Sequence, residues 1–275
     1  ALALAFLTPA QASDWRDKAS PQLLEQAKSG APVDVLLVLR GDPALGLIDP
    51  NQARAARGAA VATHLQQLAA TSQAGVRAEL DARGIGYQSL WIANAIATRL
   101  DAAALAVIGA RDEVLRIHSD RAFRVELPVA EPLQPKAAKA VAANVTRVRA
   151  PEAWALGFRG QGVVVGAQDT GYQWDHPAVK NRYRGWDGML ANHAYQWHDA
   201  IHGLLGSGSN PCGVNATAPC DDNGHGTHTI GTVLGDDGAA NQIGVAPDAR
   251  WIACRNMERG NGRPSTYIEC FQFFL

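Results

Sequence analysis

Residues 162–167 read Gly-Val-Val-Val-Gly-Ala and run straight into Gln168-Asp169-Thr170-Gly171. A strand with no polar residue on either side belongs to a sheet covered on both faces, as parallel strands usually are. Parallel strands need crossover connections, usually helices, so this short run commits the second half of the chain to an α/β layer architecture. Ala249 to Asn256 supplies another apolar strand, and Gly226 to Leu234 a helix preceded by the cap-type residues Asp222 and Asn223. Thr266 and Glu269 stand at the spacing of a capping box that would open a further helix. Functional groups in open α/β sheets collect beyond the carboxyl ends of the strands. Asp169 stands at such an end, and Gly171 lets the chain turn away from it.

The first half has a different rhythm. Val33 to Leu39 reads as a buried strand. Leu65, Leu68, Val76 and Leu80 fall at near-helical spacing within 51–83, predicting a long helix broken near Gly75. Tyr87 to Ala93 and Ala95 to Leu100 read as strands turning at Asn94. Asp101 can cap a helix over Ala102 to Ala110, and a last strand lies within Val114 to Leu127. The order β-α-β-β-α-β is the split, ferredoxin-like pattern. Residues 128–143 hold Pro128, Pro132, Pro135, Lys136 and Lys139 with little apolar periodicity, and read as an exposed linker. The expected division is therefore 1–12, 21–127, 128–143 and 144–275.

Residues 1–12, an apolar run followed by Thr-Pro-Ala-Gln-Ala, read as the remnant of a secretory signal peptide with its A-x-A cleavage site. No other stretch approaches membrane-spanning length. The charge balance, 25 Lys and Arg against 26 Asp and Glu, gives no basic face for nucleic acid. Arginine preferred over lysine, with abundant alanine, fits a GC-rich bacterial gene. These features predict a secreted bacterial protein, extracellular or periplasmic. In such a compartment four cysteines make disulfides. Pairing Cys212 with Cys220 and Cys254 with Cys270 is the simplest of three arrangements, and no C-x-x-C spacing points to zinc.

Asn223-Gly224-His225-Gly226-Thr227-His228 places a histidine between two glycines at a helix start. Small neighbours let a polypeptide backbone approach, and an imidazole is suited to general-base work near neutral pH. Asp169-Thr170-Gly171 followed by Gly224-His225-Gly226-Thr227-His228 resembles the subtilase family of serine proteases, whose catalytic order is Asp, His, Ser. Gly244-Val245-Ala246-Pro247 agrees with it. Trp174-Asp175-His176-Pro177-Ala178 and Tyr183-Arg184-Gly185 resemble the bacillopeptidase F-like branch. Gln168, Thr229 and Ile230 depart from the usual residues but spare the reacting groups.

The resemblance implies a subtilisin-like parallel sheet with helices on both faces, incomplete here, preceded by an inhibitor I9-type propeptide of ferredoxin-like α+β fold. It implies Asp169 as the group that orients His225, and His225 as general base. The family's Gly-Thr-Ser motif is absent from the sequence. Ser207 and Ser209 lie in a polar loop and Ser265 lies beside a helix cap, so the nucleophile is expected outside this chain. The terminal Phe271-Gln272-Phe273-Phe274-Leu275 likewise reads as a helix that continues. The chain alone is expected to be inactive. Polypeptide substrates and the chain's own propeptide, as folding assistant and inhibitor, are the implied partners. Self-cleavage is expected between about Pro128 and Asn144. The chemistry needs no cofactor, while structural calcium stays open, with Asp221 and Asp222 as two candidate carboxylates. His198 and His202 read as loop or surface residues. Two other readings compete. One is a propeptide-type inhibitor attached to a degenerate, non-catalytic α/β domain; the other is a zinc hydrolase using His225, His228 and nearby acids.

Overall fold

The computed structural model describes residues 14–126, 141–239 and 241–275. The expected signal remnant (1–12) lies outside the described residues, as does most of the expected linker. The chain divides into two units, one ending at Arg121 and the other beginning at Ala122.

In the first unit α1 (Pro21–Ala27) is capped by the Ser20 hydroxyl, with proline at its first turn. Strand β1 (Val33–Leu39) is followed by α2 (Arg54–Ser72) and α3 (Ala74–Ala82). The break expected near Gly75 falls at Gln73. Gln73 is buried, and its side-chain amide bonds Asn94 Oδ1 and Ala95 O at 3.3 Å, with Ser89 Oγ donating to its oxygen at 2.7 Å. Strand β2 (Tyr87–Leu90) is shorter than the sequence suggests, because Trp91–Ala93 wind into a 3-10 turn and Asn94 takes a left-handed φ of 44°. Then come β3 (Ala95–Leu100), α4 (Ala102–Ala110), capped by Asp101, and β4 (Val114–Ser119). The sheet order is β2-β3-β1-β4, antiparallel throughout, which is the split β-α-β-β-α-β arrangement. Val33, Val35, Leu37 and Leu39 alternate onto one face of β1 and pack with Val76, Leu80, Leu105 and Ile108 of the helices.

The second unit opens with β5 (Phe123–Arg124), α5 (Ala143–Arg147) and α6 (Ala150–Ala155). Its main sheet comprises β6 (Val164–Asp169), β7 (Trp197–Asp199) and β8 (Arg250–Arg255), parallel and in the order β6-β8-β7. Helix α7 (His225–Leu234) covers one face and α8 (Pro264–Phe274) the other. The alternation of β8 records this. Trp251 and Ala253 pack with Ile230 and Leu234 of α7, while Cys254 faces Cys270 and Phe274 of α8. Strands β9 (Met257–Glu258) and β10 (Asn261–Gly262) form a hairpin, and β5 pairs antiparallel with its outer edge. Helix α8 begins at Pro264, two residues before the expected capping threonine. Thr266 Oγ1 instead donates to Asn256 O at 2.8 Å. Both cysteine pairs, Cys212–Cys220 and Cys254–Cys270, are disulfides.

Candidate active site

The parallel register puts Asp169, Arg255 and Asp199 side by side at the carboxyl ends of the three strands. Asp169 is 6% exposed. Its carboxylate meets His225 Nδ1 at 2.8 and 2.9 Å and accepts the Thr170 amide at 2.7 Å. Thr229 Oγ1, one helical turn beyond His225, donates to it at 3.2 Å. A histidine bound at Nδ1 by a carboxylate is held in one tautomer, with Nε2 turned to other work. Among the described residues, Nε2 of His225 has no protein partner.

Glycines make this contact sterically feasible. A Cβ on Gly226 would lie 2.0 Å from the Gly171 carbonyl oxygen and 3.0 Å from Asp169 Cβ. Gly171 has φ +108°, and a Cβ there would lie 1.8 Å from Cys220 O. Strand end and helix start can therefore touch. The Gly226 amide donates to Thr170 Oγ1 at 3.1 Å.

Asp221 organises the turn. Its carboxylate accepts the Asn223, Gly224 and Thr227 amides and the hydroxyls of Thr170 and Thr227, over 2.6–3.1 Å. It thus does the capping expected of Asp222 and Asn223, at the positive end of the helix dipole. Asp222 faces the other way. Its Oδ1 accepts the Arg259 amide at 2.8 Å and its Oδ2 lies 3.0 Å from the buried Arg255 guanidinium. Burial pushes the Asp222 carboxyl up to about 6, against the pull of the Arg259 amide and Arg255, with Asp221 and Glu258 pushing further. Both carboxylates raised above as calcium candidates are thus engaged by protein donors. Gln168 Oε1 accepts from Asn256 Nδ2 at 2.9 Å, fixing the residue whose amide binds Asp169 O.

His198 and His202 are not independent loop residues. His198 Nε2 lies 2.6 Å from Glu269 Oε1, and His202 Nε2 lies 2.8 and 2.9 Å from the two Glu269 oxygens. Hydrogen bonding to Glu269 raises His202 to about 9, against its partial burial, with Asn215 adding to the rise. Sequence reading missed this because the partner lies 67 residues away. His228 is exposed on α7. Among the described residues, no group of three or more His, Cys, Asp or Glu side chains is arranged to hold a metal ion, which the zinc reading would need. Ser207 and Ser209 sit in the loop whose carbonyls receive Arg259, and Ser265 is buried in the first turn of α8.

Residues 160–272 match the model of the Subtilase family. This stretch is homologous to the subtilases. The chain is 39% identical to bacillopeptidase F of Bacillus subtilis over 144 residues, 51% of this chain and 9% of that protein. It is 31% identical over 115 residues to the major intracellular serine protease of the same organism, 42% and 30% of the two chains. To the minor extracellular protease Vpr, also of B. subtilis, it is 33% identical over 115 residues, 41% and 12%. It therefore spans at most 30% of these curated relatives. In fold it resembles the epidermin leader peptide processing serine protease of Staphylococcus aureus, with TM-score 0.58 and 11% identity over 87% of this chain and 47% of that one. Asp169 and His225 both lie within the subtilase stretch.

Proposed function

We propose that this chain belongs to a secreted serine endopeptidase precursor and supplies its Asp and His. The observation that carries the reading is the 2.8 Å contact between His225 Nδ1 and the buried Asp169 carboxylate, at the carboxyl end of a parallel sheet in a subtilase-like stretch. In this account His225 Nε2 takes the proton of a serine hydroxyl as it attacks a peptide carbonyl. Asp169 holds the ring in the needed tautomer and stabilises the imidazolium. The attacking hydroxyl is assigned to no serine of residues 1–275, so this chain alone cannot form an acyl-enzyme. No cofactor enters the chemistry.

The first unit is proposed to act as an I9-type propeptide, folding aid and inhibitor, separate from the peptidase domain. Two features support this: its split β-α-β-β-α-β order, and the extended segment that follows it. In that segment Phe123 and Arg124 pair with Gly262 and Asn261, and the Val125 amide donates to Gly260 O at 2.8 Å. An extended polypeptide added to a sheet edge is how many binding grooves take peptides, and polypeptides are the proposed substrates. Two disulfides and the likeness to a protease described as extracellular support export. Among the described residues, no helix is long and apolar enough to cross a membrane.

The test is labelling of the full-length protein with a serine-directed phosphonate. The reading expects one labelled serine, outside residues 1–275, and loss of labelling in His225→Ala. A label on Ser207, Ser209 or Ser265, or peptidase activity abolished by a zinc chelator with no label at all, overturns it.

A further inference from the structure

The loop of residues 203–220, between β7 and α7, is fastened at two places. On one side Glu258, in β9 and 2% exposed, accepts the amides of Leu205 and of Gly206, the latter at 3.0 Å. Arg259, in the turn between β9 and β10, donates to Ser209 O at 3.0 Å, and Arg255 donates to Gly213 O at 3.2 Å and to Asn210 Oδ1 at 3.0 Å. On the other side the Cys212–Cys220 disulfide delivers the loop to the turn before α7. There Cys220 O accepts the Tyr172 amide at 3.2 Å and Asp221 binds the start of the His225 helix. Hydrogen bonds and one disulfide therefore link the β9–β10 hairpin, through this loop, to the start of the histidine helix.

A hairpin of two-residue strands has too few contacts to hold its own shape in water. This one presents the edge on which the Phe123–Arg124 segment lies. A buried carboxylate is costly unless its charge is met by donors, and those at Glu258 are the amides of the loop. A Cβ on Gly206 would lie 2.6 Å from Nδ2 of Asn261 in the edge strand, so the end of that side chain, which donates to Glu258 O at 2.9 Å, would have to shift.

We propose that Glu258 is a positioning residue for extended polypeptide: by clamping residues 205–206 onto the hairpin it keeps the edge strand 261–262 in the register that an incoming peptide pairs with. The proposal rests on the peptidase reading above and deepens it. A pre-set edge lets a peptide bind without first having to order the strand it joins. Losing the clamp weakens binding of long substrates more than it slows the chemistry.

The test compares an extended peptide anilide with a single-residue ester, both hydrolysed by the full-length protein. Glu258→Ala is expected to raise KM for the extended peptide about tenfold with kcat changed less than about twofold, lowering the peptide-to-ester ratio of kcat/KM about tenfold. Glu258→Gln, which keeps an acceptor oxygen, is expected to recover most of the loss. Gly206→Ala shifts the ratio the same way without touching the carboxylate, and carries the test if Glu258→Ala fails to fold. Equal losses on both substrates, or an unchanged peptide KM in Gly206→Ala and Glu258→Ala, would overturn the proposal. A wild-type protein that cleaves neither substrate overturns the peptidase reading and this inference with it.

Discussion

In the second unit two carboxylates, Asp169 and Glu269, contact histidines at similar distances, and they leave different atoms available. At Asp169–His225 the carboxylate engages Nδ1, and among the described residues Nε2 has no protein partner. At Glu269 the carboxylate takes the Nε2 atoms of both His198 and His202, and His202 Nδ1 is taken by Asn215 Oδ1. With an acceptor at each ring nitrogen, His202 is stabilised as the cation, which accounts for its raised pKa of about 9. A base needs an open nitrogen and a clamp does not. The first contact also sits at a sheet end behind two glycines, whereas Glu269 is tied to β8 by the neighbouring Cys254–Cys270 disulfide.

The largest expected difference is in rate. In the full-length protein Asp169→Asn is expected to cost on the order of 10⁴-fold in kcat, because the ring is then held in the wrong tautomer. Glu269→Gln is expected to cost only a few-fold on the same peptide substrate. Comparable losses from the two changes would erase the distinction between base and clamp.

Stability should separate them in the opposite sense. Replacing Cys254 and Cys270 together by alanine removes the tie that holds the Glu269 helix, and is expected to cost about 3 kcal/mol by denaturant unfolding. Gly226→Ala acts at the first contact. Its methyl would press on Gly171 O and Asp169 Cβ, so a stability loss of about 2 kcal/mol is expected together with a fall in kcat. A Gly226→Ala protein of wild-type rate would mean that strand end and helix start need not touch.

The smallest effect is pH-dependent. His202 is raised in the folded state, so its contribution is fully present below its unfolded value of about 6.5 and is lost as pH rises toward about 9. Because the ring is about half exposed, solvent screening keeps the contribution to about 1 kcal/mol or less. Melting temperatures of wild type and His202→Gln should therefore differ most near pH 6 and converge above pH 9. A constant difference across that range would argue against an imidazolium clamp.

Asp169 and His225 were legible in the sequence because each sits at a local signal: an apolar run ending in Asp-Thr-Gly, and a glycine-flanked histidine opening a helix. The order of the first unit was legible for the same reason, since period-2 and period-3.6 patterns alternate cleanly along it. Glu269, Arg255 and Glu258 were not. Each is defined by groups more than 40 residues away in sequence, Glu269 by His198 and His202, Arg255 by Asp199 and Asn210, Glu258 by the 205–206 amides. No local periodicity encodes such contacts. Asp221 lay one position outside the expected cap, because its place three residues before Gly224 lets its carboxylate span several amides at once.

The most direct test of the pairing is nitrogen NMR of the His225 ring in this chain, followed through its titration in wild type and Asp169→Asn. The account predicts that the neutral wild-type ring carries its proton on Nδ1 and leaves Nε2 bare, and that Asp169→Asn abolishes this preference. A neutral ring protonated on Nε2, or one whose tautomer is indifferent to Asp169, would contradict it.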